Sequence, residues 1–104
     1  MNTENDAILI NSKGQELLFF KEDKIMNSSG QELGYFKDNI LYNSINQKIG
    51  SYIRNEIFNL QEKVIGKVDN NDLLNLNGQS IMKISGKRNE DKIKIGTSFF
   101  FFLQ

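Results

Sequence analysis

The side chains available for chemistry are few in kind. Among 104 residues there is no histidine and no cysteine. That removes the commonest general base, the commonest zinc ligand, thiolate metal sites and disulfides together. Carboxylates remain. Glu16 and Glu32 stand 16 residues apart in a repeated phrase, and Asp23 and Asp38 lie in short polar clusters. A glycosidase needs two carboxylates at a set separation across a cleft. The positions equivalent to Glu16 and Glu32 further along carry Lys48, Val64 and Ser80, so these acids read as solvated surface. Asp69 to Asp72, "DNND", has the composition of a calcium loop but not the Gly and distal Glu of an EF-hand; it reads as a turn. The glycines are spread by a repeat and not clustered before a helix, so no phosphate loop is present. A Ser–Lys pair has no supporting motif. The chain reads as a non-enzyme, with no cofactor and no metal.

Amides and aromatics offer binding instead of catalysis. Asn11, Asn27, Asn43, Asn59 and Asn75 recur every 16 residues. A ring of amides around an axis could hold a ligand or ion, but Asn opening a turn needs no further reason. Eight residues after each Asn come Phe19, Tyr35, Ser51, Lys67 and Lys83. The last three mark the column as outward-facing. Phe19 and Tyr35 are then neighbouring outer aromatics, of the kind that mark interaction or sugar-stacking sites, unless the C-terminal segment caps Phe19. Tyr35, Tyr42 and Tyr52 are candidates for a ligand site at a rim.

Composition narrows the partners. Thirteen basic residues balance 13 acidic ones, without long runs of one sign, so no nucleic-acid-tracking surface is expected. The N-terminus shows no signal-peptide pattern and the longest apolar run, Phe99 to Leu103, is too short to span a membrane. A cytoplasmic location is the default expectation.

The positioning elements follow from the repeat, which covers one domain, residues 1–104, in units of about 8–23, 24–39, 40–55, 56–71 and 72–87, with a closing segment at 92–104. Relative to each Asn, the two preceding positions are apolar, and position +6 holds Leu17, Leu33, Ile49, Ile65 and Ile81. Position +9 holds Phe20, Phe36, Tyr52, Val68 and Ile84, and +7 is glycine in the three middle units: Gly34, Gly50 and Gly66. Asn-x-x-Gly, with Gly14, Gly30 and Gly78, fits a type I turn followed by a positive-φ residue. Asn46 keeps that preference, whereas Glu62 predicts a strained turn or one of another type. The clusters "KED", "KDN", "RNE" and "DNND" make the second turn of each unit. The intervening apolar runs are short and rich in β-branched and aromatic residues, which predicts strands. One hairpin is unstable alone, and five must stack or close to share a core. The +6 and +9 columns are three apart, so a bulge or bend at the middle glycines is needed for both to face inward.

The stretch "NSSGQELGYFKDNILYNSINQKIGSYI" resembles the small bacterial β-flower proteins, whose tandem units run apolar-apolar-Asn/Asp-x-x-Gly-x-x-Ile-Gly-Tyr/x-Ile. The likeness covers Ile8 to Ile84, and the apolar tail also fits. It implies a wheel of hairpin petals around a pseudo-symmetry axis, and the five in-register units favour the five-petal form. No activity is established for the family, so no catalytic residue is carried over. Glu62, Leu18 and Met82 depart from the pattern.

The expected architecture is an all-β, closed five-hairpin wheel, with a β-solenoid as the alternative. Phe99–Gln104 is expected to pack on Leu17 to Phe20 of the first unit and to close the ring or plug its core. The expected function is a non-catalytic interaction or structural module that binds protein. The alternative is a small-ligand or glycan binder using the rim tyrosines. Self-association through open strand edges is expected if the wheel does not close.

Overall fold

A computed structural model describes residues 5–103. Five hairpins follow one another: β1 (Ala7–Ile10) with β2 (Glu16–Lys21), β3 (Lys24–Asn27) with β4 (Glu32–Lys37), and β5 (Ile40–Asn43) with β6 (Lys48–Ile53). Then come β7 (Glu56–Phe58) with β8 (Val64–Asp69) and β9 (Asp72–Leu74) with β10 (Ser80–Gly86). A helix, α1 (Asn89–Phe102), ends the described chain. The strands form a closed antiparallel barrel in which β1 pairs with β10. Each of these strands is therefore paired on both sides and presents no open edge, so the condition set for self-association through strand edges is not met.

The Asn turn is built alike in all five units. In each, the Asn carbonyl accepts from the backbone N–H three residues on, at 3.0–3.1 Å. The Asn Oδ1 accepts from the N–H groups at +2 and +4, at 2.9–3.1 Å. Its Nδ2 donates to the side chain of Gln15, Gln31, Gln47 or Gln79 in four units. Lys63 stands in that place in the fourth unit and offers no acceptor. Gly14, Gly30 and Gly78 have φ of 82–83°. Asn46 (φ 66°) and Glu62 (φ 62°) take the same left-handed conformation. Glu62 thus makes the common turn, strained, and not one of another type. The joints between units are two-residue loops, and their first residues, Glu22, Asp38, Arg54 and Asn70, also have φ of 51–56°.

Register shifts occur in every hairpin-scale pairing at the +6 residue. Ile25 faces Gly34 while Met26 faces Glu32, which leaves Leu33 as the extra residue of a bulge, and the same skip recurs at Leu17, Ile49, Ile65 and Ile81. The bulge therefore lies one residue before the glycine. It also corrects which columns face inward. Positions +7 and +9 share the inner face by ordinary alternation, and the +6 side chains stay half-buried at the margin of the core. The deepest column is position −2: Leu9, Ile25, Leu41, Ile57 and Leu73 are all 0% exposed.

The C-terminal segment is helical from Asn89, where the sequence predicted a loop and an apolar closing segment in an all-β chain. The helix plugs the barrel, touching β1, β2, β6, β7, β8 and β10, so it is not confined to the first unit. Phe19 lies on the outer wall, opposite Ile8 and Met26, and is not the seat of the C-terminal segment. Gln104 lies outside the described residues.

The seating of the helix explains the middle glycines. A Cβ on Gly50 would overlap the Phe101 ring, one on Gly66 would come within 2.5 Å of Phe100, and one on Gly34 within 2.7 Å of Phe102. Three consecutive phenylalanines thus spread onto three successive petals, each into the space a missing Cβ leaves. In the first and fifth petals the ring supplies its own bulk there, with Leu18 buried and Met82 half-buried. Gly96 lets the helix approach Val68, Leu73 and Ile84 on the other side.

Candidate functional site

The barrel has two mouths. The C-terminal end of α1 emerges among the Asn turns, because Phe100 and Phe102 lie beside Gly66 and Gly34, next to the turn residues Asn75 and Asn43. The N-terminal end of α1 lies among the joints, where Tyr52 meets Glu90.

At the joint mouth, position +9 forms a chain of edge-to-face rings. Phe20 and Phe36 are 6.2 Å apart at 84°, and Phe36 and Tyr52 are 5.9 Å apart at 62°. Lys94 reaches over the first two rings, 5.7 and 5.8 Å from their centroids, and its Nζ donates to Asp23 at 2.8 Å. The run of rings stops at Val68. A cavity of about 590 Å³ opens there, lined by Tyr52, Arg54, Asn55, Val68, Asp69, Asn70, Asn89, Glu90, Lys92 and Ile93. The Tyr52 hydroxyl donates to Glu90 Oε2 at 3.1 Å. Burial, then the Glu90 carboxylate, push the Tyr52 phenol well above its ordinary value. Beside the cavity, Arg88 grips the buried Asp91 with two bonds of 3.0 and 3.1 Å, which fixes the first turn of the helix.

Of the four predicted binding aromatics, the structure brings together Tyr35 and Tyr42 and holds Phe19 and Tyr52 apart from them. Tyr52 is an inner residue, 6% exposed, with only its tip at the joint mouth. Tyr35 and Tyr42 stack on the outer wall with centroids 5.2 Å apart, and the Tyr35 hydroxyl donates to Asn46 at 2.8 Å. Phe19 belongs to the neighbouring outer pair with Met26. The outer pairs run around the ring as Phe19–Met26, Tyr35–Tyr42, Ser51–Phe58, Lys67–Leu74 and Lys83–Ile10. Aromatic character therefore gives way to positive charge along the wall. Asp72, in the acidic cluster, pairs with Lys83 at 2.5 Å, and this lowers its carboxyl from the ordinary range. The amide ring also fails to form a site, since the five Asn side chains are engaged in their own turns.

The Asn-turn mouth holds residues that sequence reasoning missed. Ile45, Leu60 and Leu76 sit at the tips of the third, fourth and fifth turns and are 69%, 53% and 68% exposed. Leu103, 43% exposed, follows the helix at the same mouth. The first two turns carry Ser12-Lys13 and Ser28-Ser29 instead. Aliphatic residues inside turn tips, where polar ones are usual, were the signal available.

No helix among the described residues is long and apolar enough to cross a membrane. No curated protein and no solved structure matches the chain. Over residues 2–103 the sequence matches the family described as 5-fold beta-flower protein. The closed ring of five bulged hairpins, each opened by an Asn turn, agrees with that description, and the chain belongs to this 5-fold beta-flower family.

Proposed function

We propose that the protein is a non-catalytic module that binds another protein through its Asn-turn mouth. The observation that carries this reading is the distribution of exposed apolar bulk. Of the five strongly exposed large hydrophobic residues among those described, Ile45, Leu60, Leu76 and Leu103 lie at that mouth, and Ile53 lies elsewhere. Half-buried Phe100, Phe101 and Phe102 continue the apolar surface toward the axis. Rigid hairpin tips carrying aliphatic side chains around a centre of aromatic rings match the anchor-and-pocket pattern of protein interfaces. The partner surface that fits is an apolar ridge with little net charge, since the three tips are flanked mainly by amides.

The test is affinity capture from lysate of the cells that make the protein, followed by binding of the purified partner. Ile45→Ser/Leu60→Ser/Leu76→Ser is compared with Phe19→Ser/Tyr35→Ser, both checked for an intact fold. Loss of a saturable interaction with the first variant alone supports the reading. Loss with the second alone moves the site to the outer wall, and binding unaffected by both rejects a protein-binding face at either place.

A further inference from the structure

We propose that the cavity at the joint mouth is a binding site for a neutral polyhydroxylated ligand of one or two sugar rings. It is independent of the protein-binding reading, because it lies at the opposite mouth of the barrel.

The cavity lies where the aromatic series of the repeat ends. Position +9 is aromatic in the first three petals and fills the joint mouth with Phe20, Phe36 and Tyr52. In the fourth petal the same position is the smaller Val68, which packs on the helix at Gly96 and borders the cavity. The hydroxylated member of the ring series, Tyr52, stands at the wall of that space. The lining then sets the ligand class. Arg54 and Lys92 balance Asp69 and Glu90, so the cavity presents no net charge to select a phosphate or a polycation. Asn55, Asn70 and Asn89 each offer a donor and an acceptor from one planar group. Planar amides, carboxylates and guanidinium groups match adjacent hydroxyls, which also donate and accept. The Tyr52 phenol remains protonated and keeps its hydrogen bond to Glu90, so it orders one acceptor at the wall. Val68 and Ile93 supply an aliphatic floor suited to the C–H face of a sugar ring. The volume lies within the range of small-molecule sites. Arg54 is held at φ 56° in a two-residue loop, which fixes one wall of the cavity by backbone geometry.

The experiment is amide and side-chain NMR on the full chain, titrated with glucose, N-acetylglucosamine, maltose and cellobiose, and separately with glycine and diglycine. The expected result is saturable shifts confined to Arg54, Asn55, Asp69, Asn70, Asn89 and Glu90 with at least one sugar. Two variants complete the test. Val68→Phe places a ring where the first three petals carry one and should weaken that binding at least about tenfold. Asn55→Ala/Asn89→Ala leaves the barrel core untouched and should do the same, which keeps the test decisive if Val68→Phe does not fold. No sugar-dependent shift, or shifts of equal size in the folded variants, overturns the site. Saturable shifts with glycine or diglycine alone overturn the ligand class.

Discussion

Gly50→Ala isolates the fit between helix and ring. The backbone at Gly50 is not in the left-handed region. On conformational grounds alone, alanine would therefore stabilise by roughly 0.4–1 kcal/mol. Packing opposes this, because the three nearest atoms that a new Cβ would meet all belong to the Phe101 ring. Forcing a methyl into a filled core typically costs about 1–3 kcal/mol, so packing sets the sign. The difference leaves a net loss of up to about 2.6 kcal/mol, and at roughly 4–8 °C per kcal/mol for a domain of this size a mid-range loss lowers the melting temperature by several degrees. The cause is separable by a double-mutant cycle. Phe101→Leu shortens the ring at the point of overlap, so Gly50→Ala in that background should cost little, with a coupling of about 1–2 kcal/mol. Gly34→Ala provides the contrast. There the new Cβ meets the backbone carbonyl of Tyr42 as well as Phe102, and Phe102→Leu should rescue it only in part. The assay is thermal and urea unfolding of the six variants and wild type. A neutral or stabilising Gly50→Ala, or additive effects in the cycle, would refute the claim that this glycine is a seat for Phe101.

Other expectations follow from the same geometry. Glu62→Gly should raise stability by about 1 kcal/mol, because it releases a left-handed non-glycine residue from a turn that keeps its hydrogen bonds; an unchanged urea midpoint would show that the turn is unstrained. Asn43→Ala removes one acceptor of two backbone bonds and one donor to Gln47, and should cost about 1–2 kcal/mol by urea unfolding. Tyr52 has a raised value in the folded state. The stability it contributes is therefore complete below the ordinary phenol value of about 10 and is lost as pH rises from there toward the folded value. The melting temperature should decline above about pH 10, and less so in Tyr52→Phe; identical pH profiles would contradict this. Truncation after Ser98 removes Phe99 to Gln104 and uncovers three glycine seats, so the product should lose several kcal/mol. A soluble truncation with the wild-type melting temperature would show that the plug is dispensable.

The ring was legible because its signals are local. Asn with Gly, Asn46 or Glu62 three residues on fixes one turn, and the polar joints fix the other, so hairpin count and order follow from spacing. Even the bulge could be inferred, from two apolar columns three apart. Its position was misjudged by one residue, since the sequence does not say which of +6 and +7 the ladder skips. The helix was not legible. Gly96, Thr97, Ser98 and four phenylalanines are poor helix formers, and a helix enclosed by a barrel is contacted all round and carries no amphipathic period. One long-range clue was present: three ring positions lacking a side chain, and a terminal run of large rings. The cavity was hidden for a related reason. Val68 is an ordinary apolar residue in its column, and the end of the ring series beside it is the one mark of the cavity. The exposed tips carried little signal, because a turn position constrains backbone conformation more than side-chain type.

The three glycine seats also bear on how five similar hairpins find one arrangement. Each hairpin could pair with a wrong neighbour at little local cost, since a slip of one whole unit restores nearly every strand contact. A nearly symmetric ring is in this sense degenerate. The helix is not symmetric. Its Phe100, Phe101 and Phe102 need three adjacent vacancies flanked by Leu18 and Met82, and only one rotational setting of the plug meets that demand. The C-terminal segment thus acts as a key that breaks the five-fold ambiguity. A chain with glycine at position +7 in all five units would keep its petals and lose the instruction that says which is which.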